Sequence, residues 1–281
     1  SVLTWSATGL PQGLSINSSS GLITGTPNAL GTANVRVTLS NGSSTDFVDF
    51  TWTIQPQTFS QNYSSFSGAA GLTLNGNAAI SSPALRVSPN AANQVGSAFL
   101  SNPLAIGPNS SINTRFVFRV HGTAHGADGM AFVIQGNGAT SIGTGGAGLG
   151  YSGMNRSLAI EIDNHAGTGD PNGNHLGILS DGNTTTHLAT FTPGWDLENA
   201  ASHTIWVEYD GPANQLRVYA AQGIVSQRPG TAVMTTTIDL PALVGSQAWF
   251  GFTAGSGSIF NYHDVEAGSL TVNGFALPRQ P

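Results

Sequence analysis

The sequence predicts an all-β protein, and three observations carry that prediction. Apolar residues recur with the two-residue period of a half-buried strand, as in Phe116, Phe118 and Val120 set between Arg115, Val117 and Arg119. No amphipathic helical pattern runs longer than about two turns. Thirty-seven Gly, with abundant Ser, Thr and Asn, mark frequent tight turns. Short strands at this spacing favour a sandwich over alternating strands and helices.

Taken in order, the first clear strand alternates Val35, Val37 and Leu39 with Asn34, Arg36 and Thr38. The next pattern ends in Phe50-Thr-Trp-Thr-Ile54, and a boundary is predicted at Pro56-Gln57. Residues 1–56 then form a small β unit close to the lower size limit for a stable core. Residues 57–281 form the larger unit, whose β pattern begins at Phe59 and includes the strand around Phe116. Ile205, Val207 and Tyr209 precede Gly-Pro-Ala-Asn at 211–214, after which Leu216 and Val218 resume the alternation, a hairpin signal.

Composition excludes several functions. Eight Arg and no Lys against fourteen acids give a formal charge of −6, which supplies no basic footprint for nucleic acid. Thirteen Phe, five Trp and many β-branched residues argue against disorder. No apolar run approaches the roughly 18–20 residues of a membrane-spanning helix, so no membrane insertion is expected. With no Cys there is no disulfide or thiol chemistry. Residue 1 is Ser, and the expectation is a fragment or processed product of a larger multidomain polypeptide.

The chemically informative stretch is residues 157–178. Leu158, Ile160 and Ile162 form one face of a strand, which puts Glu161 and Asp163 together on the other. A Gly-rich loop follows, with Asp170 and then His175. Residues 157–216 hold eight acids and neither Lys nor Arg. Adjacent carboxylates repel one another and lose hydration on burial, so a bound cation would stabilise them. Oxygen ligands suit Ca²⁺, and a carboxylate-plus-His set suits a transition ion such as Mn²⁺. The alternative is a solvated acidic face with Asp170-Pro-Asn-Gly as a turn.

Glu-x-Asp, a short loop, then Asp-Pro-x-x-x-His-x-Gly-Ile resembles the metal-site signature of legume-type (L-type) lectins and their bacterial relatives. The resemblance implies that Glu161 and His175 hold the transition ion, that Asp163 and Asp170 are shared with calcium, and that the His165 carbonyl reaches calcium. Three further segments resemble the family: Ala127-Asp-Gly-Met-Ala-Phe-Val133, Gly145-Gly-Ala-Gly-Leu-Gly-Tyr151, and Phe250 to Val265. His203 to Gly211 and Gln215 to Tyr219 resemble its back-sheet hairpin. The resemblance covers residues 58–275. It implies a concanavalin A-like jelly-roll sandwich, a cis peptide before Asp128, and sugar contacts from Asp128, Gly146, Asn172, Ser258 and Ile259. Upstream, Leu3 to Ile16 and Ser20 to Pro27 resemble the "Putative Ig" modules of bacterial surface and secreted proteins. Strands normally upstream in that module are missing, which implies a truncated Ig-like spacer without an active site.

The sequence also departs from the lectin pattern. Gly167 stands where the family places an Asn that binds calcium and sugar together, with Asn164, Asn172 and Asn174 as possible substitutes. The key loop glycine aligns with Ala147, or with Gly146 after a one-residue shift. Glu161-Ile-Asp163 also resembles the catalytic strand of sandwich-fold β-glucanases. Those need a second carboxylate on the same face, and His165 and Ala166 stand there instead. No nucleophile elbow is present, and the run 143–150 lacks the βαβ context of a dinucleotide loop. Of the Trp residues, Trp206 and Trp249 read as core and Trp195 as the exposed candidate for stacking on a sugar. The expected function is therefore non-catalytic, metal-dependent glycan or polysaccharide binding, in a secreted or cell-surface protein. The alternative is a calcium-stabilised structural or adhesion module, and further off a sandwich-fold glycoside hydrolase.

Overall fold

A computed structural model describes residues 2–25, 27, 29–68 and 70–275, without the side chains of Pro56, Gln57 and Phe275. In the N-terminal part, strands β1 (Thr4–Thr8), β4 (Gly31–Ser40) and β5 (Thr45–Ile54) form a three-stranded antiparallel sheet, order β1-β4-β5. Strands β2 (Leu14–Ile16) and β3 (Ile23–Gly25) make a separate ribbon. Gly21 sits at φ +74° with the Trp5 indole so close that a Cβ would meet it at 2.7 Å. That contact explains why this turn takes glycine. The alternation of β4 buries Val35, but Phe47, Val48 and Phe50 of β5 remain exposed. The truncated Ig-like sandwich anticipated from the sequence is thus a single sheet and a ribbon. Arg36 spans β4 and β5 to Asp49 and lies over the Phe47 ring.

From residue 56 onward, two eight-stranded sheets face each other. The back sheet contains β6 (Pro56–Tyr63), β8 (Ala79–Ser81), β9 (Ala84–Ser88), β12 (Ser111–His121), β17 (His203–Asp210), β18 (Gln215–Gln222), β19 (Met234–Thr237) and β21 (Tyr262–Phe275). The front sheet contains β7 (Leu72–Gly76), β10 (Val95–Leu100), β11 (Leu104–Ala105), β13 (Gly129–Gln135), β14 (Ser157–Asp163), β15 (His175–Ser180), β16 (Ala189–Phe191) and β20 (Gln247–Gly255). Its main path runs β16-β15-β14-β13-β20-β10-β7. Three of its pairings, β13-β20, β20-β10 and β10-β7, join strands that are not consecutive in the chain, as a jelly roll requires. The only α-helix among the described residues is α1 (Leu240–Val244), capped by the Asp239 side chain on the Ala242 amide.

The strand period sorts residues between two cores. Met130, Phe132, Ile134, Leu158, Ile160 and Ile162 point from the front sheet into the core between the sheets, where they meet Phe116, Phe118 and Val120 of β12. The Phe116 ring lies 5.7 Å from that of Phe132 and 5.1 Å from that of Phe252, the latter edge-on. On the opposite face of the front sheet, Phe99, Ala131, Val133 and Ala159 form a smaller cluster roofed by Leu149, Tyr151 and Met154. This second layer holds the loop 144–156 against the face that carries Glu161. The hairpin expected around 211–214 joins β17 to β18, with Asp210 opposite Gln215.

Candidate metal centre

Glu161 and Asp163 lie on β14 opposite the core-facing Ile160 and Ile162, as the alternation requires. Glu161 is only 1% exposed. Its cross-strand partners are Ala131 and Gly177, small enough to leave space around the carboxylate. Its Oε2 accepts a hydrogen bond from the Tyr151 hydroxyl at 2.7 Å. Its Oε1 faces Nε2 of His187 at 2.6 Å and Nε2 of His175 at 3.2 Å. Burial pushes the Glu161 carboxyl up, but the hydrogen bonds from His175, His187 and Tyr151 outweigh it and hold the group below its ordinary value. Burial and the Glu161 charge push the Tyr151 phenol far up, so it stays a donor.

Two loops complete the cluster. Asp170 ends the 163–170 loop, and its Oδ1 lies 3.9 Å from Nε2 of both His175 and His187. Its Oδ2 accepts the Gly167 amide at 2.6 Å, and Asp163 Oδ1 accepts the His165 amide at 2.8 Å. These bonds close the loop on its own acids. His175 opens β15, fully buried, and its Nδ1–H donates to the Asn172 carbonyl at 2.8 Å. That bond fixes the ring so that Nε2 turns inward. Donor atoms of Glu161, Asp170, His175 and His187 all lie within 4.8 Å of one another. Burial pushes the Asp163 carboxyl to about 8, with the nearby charges of Glu161 and Asp170 adding to the effect.

The residues expected to bind sugar fall into three places. Asp128 follows the Ala127–Asp128 peptide, which is cis, and is 7% exposed. Its Oδ2 accepts the Gly257 amide at 2.6 Å. Burial pushes its carboxyl up, against the opposing pull of Gly257 and His165. Gly146 faces this carboxylate: a Cβ there would lie 3.9 Å from Oδ2 and the same from the Gly257 Cα. The Gly146 amide donates to the Ser256 carbonyl. Ser258 and Ile259 stand exposed on the same 256–261 loop. Asn172 lies elsewhere: its Nδ2 donates to Thr192 Oγ1 and its Oδ1 accepts the Asn174 amide, which shapes the turn behind His175. His165 is exposed beyond the end of β14. Gly167 sits between the sites, where a Cβ would be 3.0 Å from Asp170 Oδ2 and 3.8 Å from the Ala147 Cβ.

The Legume lectin domain family matches residues 58–280, and the Putative Ig domain family matches residues 1–55. The chain belongs to the legume lectin family. Lectin 1 of Medicago truncatula is 28% identical over 240 residues, covering 79% of this chain and 80% of that protein. The L-type lectin-domain containing receptor kinase S.7 of Oryza sativa subsp. japonica is 30% identical over 179 residues, 59% of this chain. The match spans only a quarter of that kinase's length and about a third of the receptor kinases SIT2 and IV.1. Peanut lectin superposes with a TM-score of 0.68 at 25% identity, covering 79% of this chain and 99% of that one. The lectin from Bauhinia forficata in complex with GalNAc shares the fold, with a TM-score of 0.67 at 21% identity.

Within the lectin domain, three contributors escaped the sequence reading. His187 precedes β16 and reaches Glu161 from 26 positions away. The only local sign is an imidazole in the longest stretch free of Lys and Arg. Tyr151 was visible only as the end of a glycine run, and Gly177 only as part of His-x-Gly-Ile. Trp195 is not a solvent-facing platform. It is half-buried against the main core and stacks on His203, with centroids 6.0 Å apart. Trp206 is buried as expected, but on the outer face of the back sheet beneath Arg115.

Proposed function

We propose that this lectin domain binds carbohydrate without catalysis, and that its binding surface depends on a metal centre beside it. The observation that carries the reading is a continuous path between the two: Asp128 faces Gly146, Ala147 adjoins Gly167, and Gly167 donates to Asp170 of the cluster. The Asp128 carboxylate offers acceptor lone pairs to sugar hydroxyls, and Gly146 keeps the space above it clear. Ser258 and Ile259 supply the exposed rim of the adjoining loop. The donor chemistry of Glu161, Asp170, His175 and His187 suits a transition ion. Asp163, with Asp170 and the His165 carbonyl, would hold calcium. A bound cation supplies charge that neutralises the converging carboxylates. The chain's own part is to orient: Tyr151 and Asn172 aim their partners, and the 163–170 loop closes on its acids. A secreted or cell-surface setting agrees with this reading, with residues 1–56 as a spacer unit ahead of the lectin domain at 57–281.

A structural role, with metal serving stability alone, draws on one feature: Gly167 brings no side chain to the place where the family's Asn meets sugar. A glycan array read with and without chelator separates the two. Chelator-sensitive glycan binding supports the lectin reading. A metal-raised melting temperature with no glycan signal in any condition overturns it.

A further inference from the structure

We propose that His187 is a direct metal ligand, and that it turns this lectin's transition-ion site into a two-imidazole, two-carboxylate centre selective for Zn²⁺ over Mn²⁺. The inference deepens the metal centre just described and rests on that site. The lectin resemblance accounts for a single imidazole, His175. The structure adds a second: His187 Nε2 lies 2.6 Å from Glu161 Oε1, 3.3 Å from His175 Nε2 and 3.9 Å from Asp170 Oδ1.

With both rings neutral, hydrogen bonding alone leaves this arrangement incomplete. Nδ1 of His175 spends its proton on the Asn172 carbonyl, so Nε2 of the neutral ring presents a lone pair inward. Facing it are Glu161 Oε1, also an acceptor, and His187 Nε2. One proton on His187 can serve Glu161 but leaves the His175 nitrogen pointing at acceptors. A cation at the centre satisfies all of them together. The geometry fits a small ion. Ligands about 2.1 Å from a tetrahedral Zn²⁺ sit about 3.4 Å from one another. Five of the six separations among Glu161, His175, His187 and Asp170 run from 2.6 to 3.9 Å, bracketing that value, and all four donors lie within 4.8 Å of one another.

Gly177, the glycine of the His-x-Gly-Ile signature, leaves the space that the second imidazole occupies. Any Cβ on Gly177 would strike Glu161 Oε1 and lie 2.7 Å from Cδ2 of His187. The position opposite Glu161 thus leaves room for both the carboxylate and the imidazole. Two nitrogen donors shift preference along the first-row series. Imidazole suits Zn²⁺, whereas Mn²⁺ is weakest in that order and favours oxygen.

The test uses the full chain stripped of metal, with Zn²⁺ and Mn²⁺ competed separately against a chromophoric chelator, and Co²⁺ absorption read as a report of coordination. The wild type is expected to hold Zn²⁺ more than about 100-fold tighter than Mn²⁺. It should also give the intense visible bands of four-coordinate Co²⁺. H187A should lose about 100-fold or more in Zn²⁺ affinity, with a much smaller change for Mn²⁺ and loss of those Co²⁺ bands. H187Q, closer in size, should behave the same way and serves if H187A folds poorly. Equal Zn²⁺ affinity in wild type and variant, or a wild type that prefers Mn²⁺, would overturn the proposal and leave His187 as a hydrogen-bond partner of Glu161. Glycan binding is read apart from this: Zn²⁺ selectivity with a silent glycan array would refute the sugar reading and leave the ligand assignment standing.

Discussion

Gly177 lies directly across the β14–β15 pair from Glu161, and a Cβ at that position would fall on the Glu161 carboxylate. Glycine is needed here for space, since the obstacles are side-chain ends rather than backbone. Gly177→Ala should therefore preserve the fold but displace Glu161 or the His187 ring. We expect a loss of about 10- to 100-fold in divalent-ion affinity. Titration against a competing chelator measures it, and an unchanged affinity would show that the cluster does not use both groups.

Asp163 gives the metal-free protein a distinctive pH response. Its carboxyl rises from an ordinary value of 3.8 to about 8 in the fold, through burial first. Between those values the native state binds more protons than the unfolded chain, so this group's stability contribution is lost as pH rises toward 8. The slope approaches 1.36 kcal/mol per pH unit at most. Denaturant titrations in chelator from pH 5 to 8 should show the decline, and Asp163→Asn should flatten it. Adding a divalent ion should restore most stability at the high end, where the carboxylate is free to bind.

His263 should act in the opposite direction. It is fully buried on β21, paired through Nδ1 with Ser88 Oγ at 2.8 Å, and burial pushes it down to about 4. Asp264 opposes that shift and His121 reinforces it. A depressed base binds fewer protons in the fold than in the unfolded chain. The stability it contributes is present above its ordinary 6.5 and fades as pH falls toward 4. His263→Asn should lower stability at pH 7 yet show a shallower acid limb in the same denaturant series.

Two bidentate Arg–Asp pairs offer an internal control on burial. Arg86 grips Asp264 at 2.8 and 2.9 Å, with the Asp264 side chain 6% exposed. Arg36 grips Asp49 in the same way, but both side chains are about half exposed. Arg86→Ala strands a buried carboxylate with His121 as its remaining partner, and should cost about 3 kcal/mol. Arg36→Ala should barely move the melting temperature, because solvent screens that pair. Comparable losses in calorimetry would contradict this account.

Asp128 should separate sugar binding from metal binding. Asp128→Asn keeps an acceptor for the Gly257 amide but removes the charge that strengthens bonds to sugar hydroxyls. Glycan affinity should fall roughly 10- to 100-fold, while chelator competition gives the wild-type metal affinity. Loss of metal in the same variant would mean that the two sites are not chemically distinct.

Much of this could be read from sequence because it is local. Glu161 and Asp163 share a face through strand period alone, and the 211–214 turn fixes a hairpin by its own residues. His175 lies close enough after Asp170 for spacing to carry it. His187 and Tyr151 converge on Glu161 from separate loops, and no period or spacing encodes such a meeting. Trp195 failed for a related reason. A loop position by itself implies exposure, whereas His203 and Phe191, on two different strands, fold around this residue.

The Tyr151 hydroxyl holds Glu161 from one side, while the same residue's amide donates to Gly148 in the turn that presents Gly146 to Asp128. One residue therefore couples the cation to the loop that would meet the glycan. Such coupling is reciprocal: the factor by which the ion tightens the sugar is the factor by which the sugar tightens the ion. In the proposed function, a glycan-loaded domain would surrender its metal to a competing chelator only at correspondingly higher chelator concentration, each ligand standing guard over the other.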